Sequence, residues 1–148
     1  MALNFDEGSD TLDVICSKDE SVTCDKDAYA EYLKTLDELH LKLNPDIAPT
    51  RFSMKKTLSY DEQRKIKNNQ LGYKDGDMQI RLSYIVDEVR YRMVDIKGPG
   101  KGFEFKKDSD GYVSKSIVEK LDSYGIVKEL HDAVQTALHL KSTPSKKN

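Results

Sequence analysis

One stretch of this chain constrains its fold more than any other. Met78, Leu82, Ile85, Val86, Val89, Met93 and Ile96 recur at about 100° per residue, the period of an α-helix. Ile80, Tyr84, Tyr91 and Val94 fall on the opposite side of the same projected helix. Arg81, Glu88 and Arg92 separate the two sets along one edge, and Ser83 and Arg90 along the other. The spacing therefore predicts a single helix over 77–96 that carries more apolar surface than one face can hide. Two arrangements answer that excess. In one, the helix crosses the middle of the domain and is packed on both sides, so that Tyr84 and Tyr91 are core residues with satisfied hydroxyls. In the other, Ile80, Tyr84, Tyr91 and Val94 form a surface stripe for protein binding, covered by a partner or by a second copy of the chain in a homo-oligomer.

The remaining elements follow from pattern and punctuation. Residues 1–10 hold Gly8, Ser9 and several acids without periodicity and are expected to form a disordered leader. Thr11–Cys16 is β-branched enough for a short strand. Asp25 can cap a helix running to Leu43, with Tyr29, Tyr32, Leu33, Leu36, Leu39 and Leu43 on its apolar side. Pro45 and Pro49 end it. Arg51–Lys55 alternates as a half-buried strand does, and Ser59 with Glu62 forms a capping box that starts a polar helix at Tyr60. Gly72–Gly76 is expected to be a turn, Lys97–Gly102 a loop, Phe103–Phe105 a short strand, and Asp108–Gly111 a tight turn. Ser114 or Ser116 can cap a helix ending near Gly125. A last helix presents Ile126, Val127, Leu130, Ala133, Val134, Ala137 and Leu138 on one face. The tail from Ser142 to Asn148 is expected to be disordered. The expected fold is mainly α with a small β component, an α+β arrangement of four to five helices and two or three short strands around one core. One globular domain spans 11–141 of the 148 residues.

Few chemistries fit these residues. No run approaches the roughly 20 apolar residues of a membrane span, and the opening lacks the basic and apolar regions of a signal peptide, so a cytoplasmic location without membrane association is expected. Cys16 and Cys24 have no second cysteine pair or histidine nearby in sequence to complete a zinc site and read as buried or half-buried thiols. His131 and His139 stand two helical turns apart, and His40 lies far away in sequence, so no metal or other cofactor is expected. Aligning Gly111 with the central glycine of a calcium loop puts Lys106 and Ile117 where carboxylates are required. Gly98, Gly100 and Gly102 match neither phosphate-binding fingerprint. No nucleophile elbow or identifiable Cys–His pair is present, so no catalytic residue is assigned and the chain is expected not to be an enzyme. A site assembled from scattered residues is the alternative. The basic cluster Arg51, Lys55, Lys56, Arg64, Lys65 and Lys67, with Phe52 and Tyr60 nearby, has the makings of a phosphate-contacting surface. A pI near 5.9 argues against nucleic-acid binding. Charge is nonetheless split: residues 1–50 hold 12 acidic and 4 basic side chains, and residues 51–148 hold 14 and 20. Such asymmetry either steers a charged partner or is satisfied within the molecule.

From residue 50 onward the order of elements resembles the tail assembly chaperone type of small protein from long-tailed bacteriophages. The residues that carry the resemblance are Arg51–Lys55 running into Leu58–Gln63, then the long helix, then Gly111–Val113 and Ile126–Leu130. The resemblance implies a non-enzymatic protein of the host-cell cytoplasm that binds a tail component, such as the tape measure or tail tube protein, during assembly. A phage structural or connector protein, or an inhibitor directed at a host protein, is the alternative within the same class of protein binders.

Overall fold

The computed structural model describes residues 10–74, 77–80, 84–98 and 104–142; over 69–74, 77–80 and 141–142 the description extends to the backbone alone. Strand β1 (Thr11–Val14), helix α1 (Lys26–Thr35) and a 3-10 turn (Glu38–Leu41) come first. They are followed by β2 (Arg51–Lys55), α2 (Tyr60–Gln70) and the hairpin strands β3 (Leu71–Lys74) and β4 (Asp77–Ile80). The chain then forms α3 (Tyr84–Arg92), β5 (Met93–Lys97), α4 (Lys115–Ser123) and α5 (Ile126–Ser142). The fold is mainly helical with a small β component. Its sheet is antiparallel in the order β1-β2-β5, with β3 and β4 pairing separately.

Alternation along the sheet explains its two faces. Leu12 and Val14 pair with Met54 and Phe52 across β1 and β2, and these four side chains point inward with Met93 and Ile96 of β5. The other face is polar: the Ser53 hydroxyl donates to Asp13, and Lys97 Nζ lies 3.4 Å from the same carboxylate. Helix α5 covers the apolar face, touching β1, β2, α1, α3 and α4. Val127, Leu130, Ala133 and Val134 on it are fully buried, and its alanines allow close approach. A satellite cluster of Ile15, Tyr29, Tyr32 and Leu41 lies beneath α1. It is tied to α5 by Glu129, which accepts from the Ser17 amide at 2.9 Å, from the Ser17 hydroxyl, and from the Tyr29 hydroxyl at 3.2 Å.

The single helix expected over 77–96 does not form. The described residues of that stretch form a strand over 77–80, a nine-residue helix over 84–92 and a second strand from Met93. The helical spacing of Val89, Met93 and Ile96 has a different origin in β5. Ser53 pairs with Asp95 but Met54 with Met93, so Val94 is the extra residue of a bulge. The bulge restores an inward direction at Ile96, three residues after Met93, where plain alternation would turn it outward. Val94 itself is 40% exposed.

The helix expected to run from Asp25 to Leu43 also stops early. Asp25 caps it as expected, accepting from the Ala28 amide at 2.9 Å. Leu36 then turns left-handed at φ 58°, and Asp37 starts the 3-10 turn by accepting from the Leu39 amide. Ser/Thr/Asp side chains compete for backbone groups in this way: the Thr35 hydroxyl donates to Glu31 O and accepts from the Asp37 amide. Leu39 consequently lies in solvent, 85% exposed. Gly72 belongs to β3 rather than to a turn, and the strand expected at Phe103–Phe105 is absent at Glu104 and Phe105, while Phe103 lies outside the described residues. Of the leader expected over 1–10 and the tail expected from Ser142, residues 1–9 and 143–148 lie outside them too; Asp10 O accepts from the Lys56 amide at 2.6 Å, and Ser142 is the last residue of α5 rather than part of a disordered tail.

The Asp108–Gly111 turn forms, closed by the Gly111 amide on Asp108 O at 3.0 Å, with Gly111 at φ 86°. Ser114 occupies the position before α4, but its side chain makes no capping bond. Asp108 takes that part by accepting from the Lys115 amide at 3.0 Å. Gly125, at φ 75°, makes the tight corner between α4 and α5.

Candidate functional site

Helix α2 begins where the capping box predicted it. The Glu62 amide donates to Ser59 Oγ at 3.1 Å, and Glu62 Oε1 accepts from the Ser59 amide at 2.8 Å. Glu62 also holds Lys55 Nζ at 2.8 Å and accepts from the Tyr112 hydroxyl at 2.6 Å. Burial alone would raise the pKa of this carboxyl. The hydrogen bonds from Lys55, Tyr112 and Ser59 prevail and hold it at about 2. Tyr112 is pushed up to about 12 by the same bond. The network continues to Arg90, a buried cation whose guanidinium lies 5.8 Å from the Tyr112 ring centre. Its Nε donates to Val113 O at 2.8 Å, and its other nitrogens hold Asp110 at 2.8 Å and Asp108 at 3.3 Å. The aspartates of the turn thus clasp an arginine.

This framework fixes the orientation of α2. Tyr60, Gln63, Arg64 and Lys67, at i, i+3, i+4 and i+7, fall on one face of the helix. That face forms one wall of an open groove of about 620 Å³. Leu58 and Ile66, each 8% exposed, and Leu138 of α5 supply its apolar floor. The far side is Lys56, Thr57, Glu88 and Arg92. Arg92 is pinned there: Nη1 donates to Lys56 O at 2.7 Å and to Lys55 O at 3.1 Å, while Nε lies 3.2 Å from Glu88. Gln135 and His131 approach the same Glu88 carboxylate at 3.2 and 3.6 Å. Arg64 is paired with Asp61 at 2.7 Å on the solvent side. Among the described residues no carboxylate reaches Lys56 or Lys67 within ion-pair distance. The rim is therefore basic, the floor apolar, and Tyr60 stands at the edge, 81% exposed.

The four residues expected to form a binding stripe do not lie on one helix; only Tyr84 and Tyr91 share one. Ile80 ends β4 and its side chain lies outside the described residues; Tyr84 and Tyr91 begin and nearly end α3; Val94 is the bulge of β5. Tyr84 is half-buried. Tyr91 is half-buried against Tyr112, with ring centres 4.7 Å apart in an edge-on arrangement. Part of the basic cluster belongs to the groove: Lys56, Arg64, Lys67 and Tyr60 line it. Its other members are occupied elsewhere, Arg51 by Glu38 at 2.8 Å, Lys55 by Glu62 and Lys65 by Asp61, and Phe52 is buried in the core. Sequence reasoning missed Leu138 and Leu58 as parts of one surface, because only the packing of α5 against α3 and of α2 against α3 brings them together.

Elsewhere, titratable groups with displaced pKa values serve structural ends. Burial, then the neighbouring Glu129 charge, pushes the Cys16 thiol well up, and both act on Tyr29 in the same direction. Cys16 is buried and Cys24 half-buried, each as a free thiol. Among the described residues no three His, Cys, Asp or Glu side chains converge as metal ligands would, and no helix is long and apolar enough to cross a membrane. Compared with protein families, curated proteins and solved structures, the chain shows no match to any.

Proposed function

We propose that this chain is a non-enzymatic binding protein of bacteriophage tail morphogenesis, acting in the host cytoplasm by reversibly holding a tail component such as the tape measure or tail tube protein. The observation that carries the reading is the groove beside α2: an apolar floor inside a basic rim, with one wall presented by a helix whose start is locked by the capping box. Three of the elements on which the resemblance to tail assembly chaperones rests border that groove, whereas the long helix that also carries it does not form. β2 runs into Lys56–Leu58, α2 is a wall, and α5 contributes Leu138.

The test is capture of the tagged protein from phage-infected cells, followed by identification of what comes with it. A tail tube or tape measure protein, held before assembly and missing from the capture once particles are finished, is the expected result. Capture without any tail or virion component contradicts the proposal. Recovery of the chain in stoichiometric amounts within finished particles replaces a transient chaperone with a structural subunit.

A further inference from the structure

The geometry points to a specific class of occupant for the groove: an acidic, amphipathic protein segment that sets apolar side chains on Leu58, Ile66 and Leu138 and its carboxylates against Lys56 and Lys67. This rests on the binding role proposed above and specifies its chemistry. Three features of the site select that partner. The floor is hydrocarbon, so it rewards an aliphatic or aromatic side chain and offers a phosphodiester backbone nothing. The fixed charges below the rim are already spent on each other, because Arg92 is held by Glu88 and by two backbone carbonyls. The cations left to meet an incoming charge are therefore Lys56 and Lys67 at the rim, where carboxylates can pair with them while remaining partly hydrated.

Tyr60 supplies the fourth element. A tyrosine 81% exposed at the edge of an apolar trough has little stabilising role in the isolated fold, and its amphipathic ring suits a surface that is wet when free and covered when bound. A volume of about 620 Å³ accommodates several side chains of a peptide rather than a whole domain. Nucleic acid is disfavoured as occupant because Phe52, the second aromatic of the basic cluster, is 3% exposed and cannot stack on a base.

The experiment is fluorescence anisotropy on the full chain with a labelled synthetic helix-forming peptide of glutamate, leucine and phenylalanine, its apolar residues at i, i+3, i+4 and i+7. Two control peptides replace all glutamates by lysine or all apolar residues by serine. The glutamate peptide is expected to bind at least about tenfold more tightly than either control, and to weaken at about 1 M salt, where screening acts within about 3 Å. Lys67→Glu and Tyr60→Ala are each expected to weaken it about tenfold with the urea unfolding midpoint unchanged, since both residues are exposed. Equal binding of the lysine peptide, tighter binding of a single-stranded oligonucleotide, or self-association abolished by Lys67→Glu would each overturn the assignment. Capture of a tail component that persists undiminished in Lys67→Glu and Tyr60→Ala would leave the morphogenesis role standing and remove the groove from it. Peptide binding without any captured tail component would do the reverse.

Discussion

Glu62→Gln removes one charge from the joint that sets α2 against β2, and its cost can be worked from the structure. The carboxylate is 5% exposed and accepts from Lys55, Tyr112 and the Ser59 amide. Its folded pKa is about 2, whereas an unfolded glutamate titrates near ~4.3. A depressed carboxyl contributes stability that is fully present above the unfolded value and is lost as pH falls toward the folded one. At ~1.4 kcal/mol per pKa unit, the contribution is ~3 kcal/mol at neutral pH and ~1 kcal/mol at about pH 3. Glutamine keeps one acceptor oxygen and the side-chain shape but leaves the Lys55 ammonium facing a neutral amide. Urea unfolding of both proteins across this pH range is the assay. The gap between them should be ~3 kcal/mol near pH 7, nearly unchanged at about pH 5, and should close as acid protonates the wild-type carboxyl. A gap that does not vary with pH, or one below ~1 kcal/mol at neutral pH, would refute the reasoning.

Other perturbations probe different joints. Arg90→Ala leaves the buried Val113 carbonyl without its donor and the half-exposed Asp108 and Asp110 without their shared cation, and should cost ~1–3 kcal/mol in chemical denaturation. Gly98→Ala should destabilise more than Gly125→Ala. A methyl at 98 meets Pro49 O at 2.5 Å as well as a φ of 101°, whereas at 125 it meets nothing within 4 Å and bears only the cost of a φ of 75°, ~1–2 kcal/mol; paired thermal melts compare the two. Titration with a thiol reagent near neutral pH should modify Cys24 in the native protein while Cys16, buried and with its thiol pushed well up, reacts only on unfolding. Val94→Asp should stay within ~0.5 kcal/mol of wild type because the bulge faces water, while Ile96→Asp, on the inner face, should cost more than ~2 kcal/mol. Equal effects of the last two substitutions would remove the bulge.

What could be read from the amino acids, and what could not, divides along a physical line. Local signals that do not depend on distant partners were legible: the Ser59–Glu62 box, the Asp25 cap, the alternation of Arg51–Lys55, the Asp108–Gly111 turn and the apolar face of α5 all form. A spacing of three and four residues over 77–96 is not specific to a helix. A bulge converts strand alternation into that spacing at Met93 and Ile96, and the bulge exists only because β5 must register on β2. Leu36, Leu39 and Leu43 misled for a related reason: Thr35 and Asp37 divert the backbone before the apolar period can be used. Half of the groove was visible as a basic cluster. Its floor was not, because Leu58, Ile66 and Leu138 are joined by helix packing rather than by sequence. The uneven charge proved partly internal, with Glu38 on Arg51 and Asp13 near Lys97.

Amide hydrogen exchange of the chain, alone and with the tail component it captures, tests most directly whether the groove is the working surface. Slowed exchange should appear over Thr57–Lys67 and around Leu138, the two stretches of backbone that build the wall and floor. Protection confined instead to the strand around Val94 and the start of α3 at Tyr84 would contradict the account.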